Sequence, residues 1–319
     1  MPDSATPAYA ARLAFLLTDG FSLMSYASVL EPFRAANELA GRNLYDWTHL
    51  SVDGGPVTAS NGASLVAAAP SATVAAFDRI FVLAAGDPSR FRDERCLGWM
   101  RRMAHAGSTL IGVSGGPYLL ARAGLLHGRR ATIHWEHAPA LRDEFPDIEL
   151  ESGLYVIDGN RMTCAGGTAG MDLAVALIAL DHGDDLARKV AEWFISAGQR
   201  DPGAAQRPAP IDRHRTRDTR LLRMLAAMEG AIEEPLARKA IATRAGLSLR
   251  HLERLCASEM ASSVAEIYLG IRLDRAAELL RSTRVDVTDV SLACGFRSAS
   301  HFSRRFSKRF GFPPSRRRP

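Results

Sequence analysis

Short apolar runs alternate with longer amphipathic stretches over the first two-thirds of the chain. Arg12 to Leu17 (RLAFLL), Arg79 to Ala84 (RIFVLA) and Thr109 to Val113 (TLIGV) are apolar at successive positions and end in Gly, Asp or Ser. Such runs suit strands buried on both faces. Between them, Met24 to Leu39 places Met24, Val29, Leu30 and Phe33 at helical spacing, and Arg92 to His105 does the same with Leu97, Met100 and Met103. Strands alternating with helices predict an α/β fold, a mostly parallel sheet with helices on both faces. Asp158-Gly159-Asn160 supplies turn chemistry for a hairpin within Leu154 to Cys164, and helices over Thr168 to Leu180 and Asp184 to Ile195 close the domain.

The pattern then changes. Ala197 to Arg215 holds three prolines, two glycines and many charges without apolar periodicity, and reads as a linker. Beyond it the chain is predicted to be all-α, broken by turns at Gly246, Gly295 and Gly311. The expected partition is therefore a first domain over 9–198, a linker over 199–215 and a helical domain over 216–315.

Charge sharpens this division. From His214 onward there are 21 basic and 11 acidic residues, against 19 and 24 before it. A basic segment joined to an acidic one is expected where only one end meets a polyanion. Cys96, Cys164, Cys256 and Cys294 are far apart, without a Cys-x-x-Cys or a neighbouring His cluster, so neither a disulfide framework nor a structural metal site is expected. No apolar run approaches the length of a membrane span, and a cytoplasmic protein is expected.

The helical domain repeats itself. Ile241-Ala242-Thr243-Arg244-Ala245-Gly246-Leu247 recurs in type as Val290-Ser291-Leu292-Ala293-Cys294-Gly295-Phe296, each followed by a Ser suited to N-capping (Ser248, Ser298) and an amphipathic helix. Helix, glycine turn, helix is the helix-turn-helix pattern. The second helices, Leu249 to Met260 and Ala299 to Phe310, are bridged by an amphipathic stretch from Glu266 to Leu280. Their polar positions give the expected DNA-reading residues: Arg250, His251, Glu253 and Arg254 in the first unit, and Ser298, Ser300, His301, Arg304 and Arg305 in the second. On these residues, and above all on Gly295 to Phe306 with Gly311-Phe312-Pro313-Pro314, the last hundred residues resemble the AraC/XylS regulators. The resemblance implies two helix-turn-helix units on one long helix, with Arg254 and Arg304 at equivalent places. Cys256 departs from that pattern, standing where an aromatic residue is usual, so a looser first unit is expected.

In the first domain, Thr109 to Pro117 (TLIGVSGGP) runs an apolar strand into a small-residue turn and a helix, which presents Ser114 at the carboxyl edge of the sheet beside the peptide N–H of Gly115. That edge is where such sheets bind ligands or place nucleophiles. With Glu31 to Asn37, Ala123 to Trp135 and Cys164 to Asp172, residues 9 to 198 resemble the class I glutamine amidotransferase-like superfamily, in its PfpI-like branch fused to AraC-type domains. Enzymes of that superfamily carry a cysteine nucleophile at the elbow. Ser114 replaces it here, with His134 where a partner histidine might lie and Asp172 or Glu136 as orienting acids. The resemblance implies a retired catalytic pocket that binds an amine or amino acid, with Glu31, Ser114, Gly115, His134 and Trp135 as contacts. The expectation is thus a non-enzymatic, cofactor-free activator, a homodimer engaging double-stranded DNA, a small effector and RNA polymerase. The alternatives are an active Ser- or Cys-type hydrolase or amidase with an accessory DNA-binding module, and a constitutive DNA-binding protein.

Overall fold

Strand burial follows the apolar runs directly. In the computed structural model, which describes residues 10–69, 76–196, 198–206, 216, 218–282 and 285–317, the first part has ten strands among the described residues. They are β1 (Ala11–Leu17), β2 (Tyr45–Ser51), β3 (Gly55–Thr58), β4 (Ser64–Ala67), β5 (Arg79–Ala84), β6 (Thr109–Ser114), β7 (Arg130–Ala131), β8 (Glu149–Leu150), β9 (Tyr155–Asp158) and β10 (Arg161–Cys164). Six of them form one sheet in the order β2-β1-β5-β6-β10-β9, parallel except for the β9–β10 hairpin. The hairpin turns at Gly159, whose φ of 59° suits a residue without a Cβ.

Alternate residues of β1 enter different cores. Leu13, Phe15 and Leu17 pack with α1 (Leu23–Ala40), through Val29 and Phe33, and with residues of two helices that follow the hairpin. Ala14 and Leu16 face the opposite side, among residues of α2 (Glu94–His105), α3 (Gly116–Arg122) and α4 (Ala138–Glu144). The helices after the hairpin, α5 (Ala169–His182) and α6 (Asp184–Trp193), complete the first core with Leu173, Ile178 and Val190. Burial on both faces explains why these strands read as continuous apolar runs. Edge strand β2 does not, since only Tyr45, Leu50 and Ser51 of its seven residues are buried.

The chain divides after Gln206 into two compact units. The expected linker therefore starts later than its composition suggested. Leu154 and Tyr155 donate their peptide N–H groups to Pro202 O, at 2.7 and 3.4 Å, and Arg200 Nη2 pairs with Asp172 at 2.6 Å. Residues 198–206 are a strap on the first unit, and the rest of the expected linker, 207–215, lies outside the described residues.

The regular elements among the second unit's described residues are all helical: α7 (Thr219–Glu229), α8 (Arg238–Arg244), α9 (Leu249–Met260), α10 (Val264–Ser282), α11 (Val287–Ala293) and α12 (Ala299–Phe310), followed by a 3-10 turn at Pro314–Arg317. Helix α10 serves two small cores. Val264 and Tyr268 pack with Leu221, Ile241 and Leu252, whereas Leu273, Ala276 and Leu280 pack with Val290, Phe302 and Phe306. Cys256 is fully buried in the first of these, its Sγ 3.5 Å from Met224 Sδ. Among the described residues no helix is long and apolar enough to cross a membrane.

Candidate nucleic-acid interface and ligand cleft

Both helix-turn-helix turns are built alike. Gly246 and Gly295 take φ values of 72° and 73°, and Ser248 and Ser298 each accept a hydrogen bond from the peptide N–H three residues on, at His251 and His301. Gly295 is further constrained, because a Cβ there would stand 2.5 Å from Ile232 O. Arg272 of α10 then donates to Cys294 O at 2.8 Å and stacks on Phe296, tying the bridging helix to the second turn.

These turns aim α9 and α12 with part of the expected set outward. Arg250, Arg254, Ser300, His301 and Arg304 are exposed or half-exposed, and among the described residues the guanidinium groups of Arg250, Arg254 and Arg304 take no hydrogen bond or ion pair. Unpaired guanidinium forks at helical spacing are suited to phosphates and guanine edges. His251 is half-buried. Ser298 has a capping role and also bonds Ser300 at 2.8 Å.

Two expected readers are turned into the domain instead. Glu253 Oε2 accepts the N–H of Val264 at 3.1 Å, capping the start of α10, and Oε1 lies 3.6 Å from Arg238. Arg305 Nη2 donates to Glu266 of the same helix at 3.1 Å. Both side chains hold α10 in place, since each falls on the flank of its helix that meets the bridge. Position within the amphipathic repeat alone did not separate flank from outer face.

In the first unit, the elbow forms where expected. Ser114 ends β6 with φ 60°, a left-handed conformation that costs a non-glycine residue about 1–3 kcal/mol and persists only where packing dictates it. The packing is tight: a Cβ on Gly116 would lie 1.9 Å from Val82 O, and one on Gly112 2.6 Å from Pro117 N. Gly115 donates its N–H to Ala84 O at 2.8 Å, so it closes the turn and has no N–H left for an effector, contrary to expectation. The Gly166–Gly167 loop presses on Ser114, for a Cβ on Gly166 would stand 2.6 Å from Ser114 Cβ and 2.8 Å from Ser25 Oγ. Ser25, missed in the sequence, accepts the N–H of Gly167 at 2.8 Å.

The catalytic partners are not assembled. Among the described residues no group hydrogen-bonds Ser114 Oγ. His134 meets Ser114 through the backbone, its N–H donating to Ser114 O at 3.2 Å. Asp172 is held by Arg200 on both carboxylate oxygens, which leaves Glu136, with Oε2 3.9 Å from His134 Nδ1, as the nearby acid. No cysteine takes the vacant role: all four are buried, and burial pushes the Cys164 thiol beside Gly166 up to about 12, so it carries no thiolate at neutral pH.

A cleft of about 210 Å³ opens beside this elbow, lined by His134, Trp135, Gly166, Gly167, Thr168, Arg200 and Gln206. Expected contacts His134 and Trp135 are here, their rings 5.2 Å apart. Ser114, Gly115 and Glu31 are not among its lining residues, and Glu31 forms instead a half-exposed ion pair with Arg34 at 2.7 Å on α1. Arg200 and Gln206 come from the strap, which composition had assigned to a linker. Gln206 is firmly seated: Oε1 accepts Trp135 N–H at 2.8 Å, and Nε2 faces Thr132 Oγ1, Ile133 O and Gly153 O at 2.8 to 3.0 Å. Next to Trp135, His137 is buried, and burial followed by the proximity of His134 pushes its imidazole down to about 4.

Comparison with known proteins agrees with both halves. Residues 11–180 match the DJ-1/PfpI family and residues 241–318 a helix-turn-helix domain. The chain is 41% identical over 304 residues to the HTH-type transcriptional regulator GlxA of Rhizobium meliloti, covering 95% of this chain and 94% of that one. It is likewise 41% identical to the HTH-type transcriptional regulator CdhR of Pseudomonas aeruginosa, covering 90% of it. Among solved structures, an AraC family transcriptional regulator from Pseudomonas putida is 26% identical with a TM-score of 0.53, over 58% of this chain and 99% of that one.

Proposed function

Since the chain belongs to the DJ-1/PfpI family and, over nearly its whole length, to the HTH-type transcriptional regulators, it is a DNA-binding regulator, and we propose that the elbow cleft is its effector site. The observation that carries this reading is the shared wall of the cleft. His134 and Trp135 of the sensor fold face Arg200 and Gln206 of the strap that leads into the DNA-binding unit. A ligand filling the cleft touches both. An aromatic ring pair beside Arg200 suits a small amine or amino acid, the indole face taking a cation and Arg200, whose Nε and Nη2 are committed to Asp172 and Thr168, offering Nη1 to a carboxylate. The chain then acts as an activator rather than an enzyme, in the cytoplasm and as a homodimer that presents its DNA-bound units to RNA polymerase. Arg250, Arg254, Ser300, His301 and Arg304 read the DNA.

The strained elbow at Ser114 favours a second reading, a serine hydrolase whose base aligns only with substrate bound. One experiment separates them. Amines and amino acids are screened by thermal shift, and each hit is tested for operator binding and, by mass spectrometry, for conversion. Ser114 lies behind the Gly166–Gly167 wall of the cleft, so Ser114→Ala should raise the effective effector concentration by no more than the roughly tenfold that one neutral hydrogen bond of about 0.5–1.5 kcal/mol is worth, with operator binding intact. Conversion by the native protein that vanishes in Ser114→Ala would put the hydrolase first.

A further inference from the structure

His134, Glu136 and His137 occupy one turn, closed by the N–H of His137 donating to His134 O at 2.9 Å. One donor atom from each side chain lies within 4.8 Å of the others. From this juxtaposition we infer that the turn is a binding site for a late first-row divalent metal ion such as Zn²⁺, with its fourth position open to the cleft.

Metal–ligand bonds of about 2.0–2.2 Å in a tetrahedron place donors roughly 3.3 Å apart. The three donors therefore close in by up to about 1.5 Å on binding. The donor set selects the ion. Two imidazoles and one carboxylate suit Zn²⁺, Ni²⁺ or Cu²⁺, whereas Mg²⁺ and Ca²⁺ require oxygen ligands. Burial is graded in a useful way: His137 is 7% exposed and anchors the turn, while the side chains of His134 and Glu136 are 30% and 16% exposed and reach the outer side. His134 also lines the cleft. Three protein ligands leave one position for an exogenous group, the arrangement of sites that bind a further ligand rather than purely structural ones. An amine or carboxylate in the cleft can occupy it. That last step rests on the effector reading; metal binding itself does not.

The test is a titration of Zn²⁺ into the full chain after chelator treatment, followed by calorimetry, with Co²⁺ as a spectroscopic probe of tetrahedral nitrogen and oxygen ligation. One ion per chain is expected. His134→Gln and Glu136→Gln should each weaken binding at least tenfold while leaving the circular dichroism unchanged; these less buried positions are chosen because His137→Gln risks misfolding. Absence of stoichiometric uptake, or uptake undiminished in the double variant His134→Gln/Glu136→Gln, would overturn the assignment. Effector response measured with and without chelator keeps the two proposals separable, because a response that survives chelation with no metal uptake removes the metal site alone.

Discussion

If the strap transmits occupancy of the cleft, releasing it should be measurable without any ligand. Gln206→Ala is the cleanest perturbation, because the side chain makes its contacts entirely with the first unit: Trp135 N–H at its oxygen and three acceptors at its nitrogen. An amide nitrogen has two hydrogens, so at most two of those three acceptors are well served at once, and with the oxygen the side chain contributes three effective bonds. At about 0.5–1.5 kcal/mol each, and with water in the open cleft replacing part of the loss, release costs about 1.5–3 kcal/mol. Each 1.4 kcal/mol is a factor of about ten, so the strap should open roughly 10- to 100-fold more often. Hydrogen exchange reads this at Leu154, whose peptide N–H is protected by Pro202 O of the strap, a bond the substitution does not itself remove. Its exchange should accelerate by that factor while the amides of β5 and β6 keep native rates. Unchanged exchange at Leu154 would refute the energetic argument. Accelerated exchange with an unaltered effector dose–response would refute the strap as the coupling element.

Two other outcomes follow from the geometry. Arg254→Ala and Arg304→Ala should each cost about 1–3 kcal/mol of specific DNA affinity if they fork onto bases, with footprint losses in adjacent major grooves, whereas Arg305→Ala, which removes a bond to Glu266, should lower thermal stability more than base discrimination; equal effects of all three on sequence preference would contradict the division of α12 into an outer face and a flank. Gly116→Ala should destabilise the first unit by more than about 3 kcal/mol, since its Cβ would overlap Val82 O at 1.9 Å, and a urea midpoint near the native value would show that the elbow can relax.

What the residues announced by themselves was local. Continuous apolar runs fixed β1, β5 and β6, because strands covered on both faces need no alternation. Glycine turns followed by capping serines set the bounds of α9 and α12, since a left-handed turn and an N-cap are decided within four residues of chain. The elbow at Ser114 was legible for the same reason. Tertiary structure decided everything that depends on which distant atoms meet. Residues 198–206 look like a linker by composition, yet Pro202 O, Arg200 and Gln206 find partners more than 25 residues away, and polar, proline-containing sequence carries no sign of that. Glu253 and Arg305 share the chemistry of their outward-facing neighbours, and a rotation of a fraction of a turn about the helix axis, set by where α10 packs, engages them with Val264 and Glu266. Ser25 reaches the Gly166–Gly167 loop from 142 residues away, and Glu31, six positions further along α1, points to a different surface. Periodicity records which face of an element is apolar; the identity of the group opposite each polar atom is set only when the elements pack.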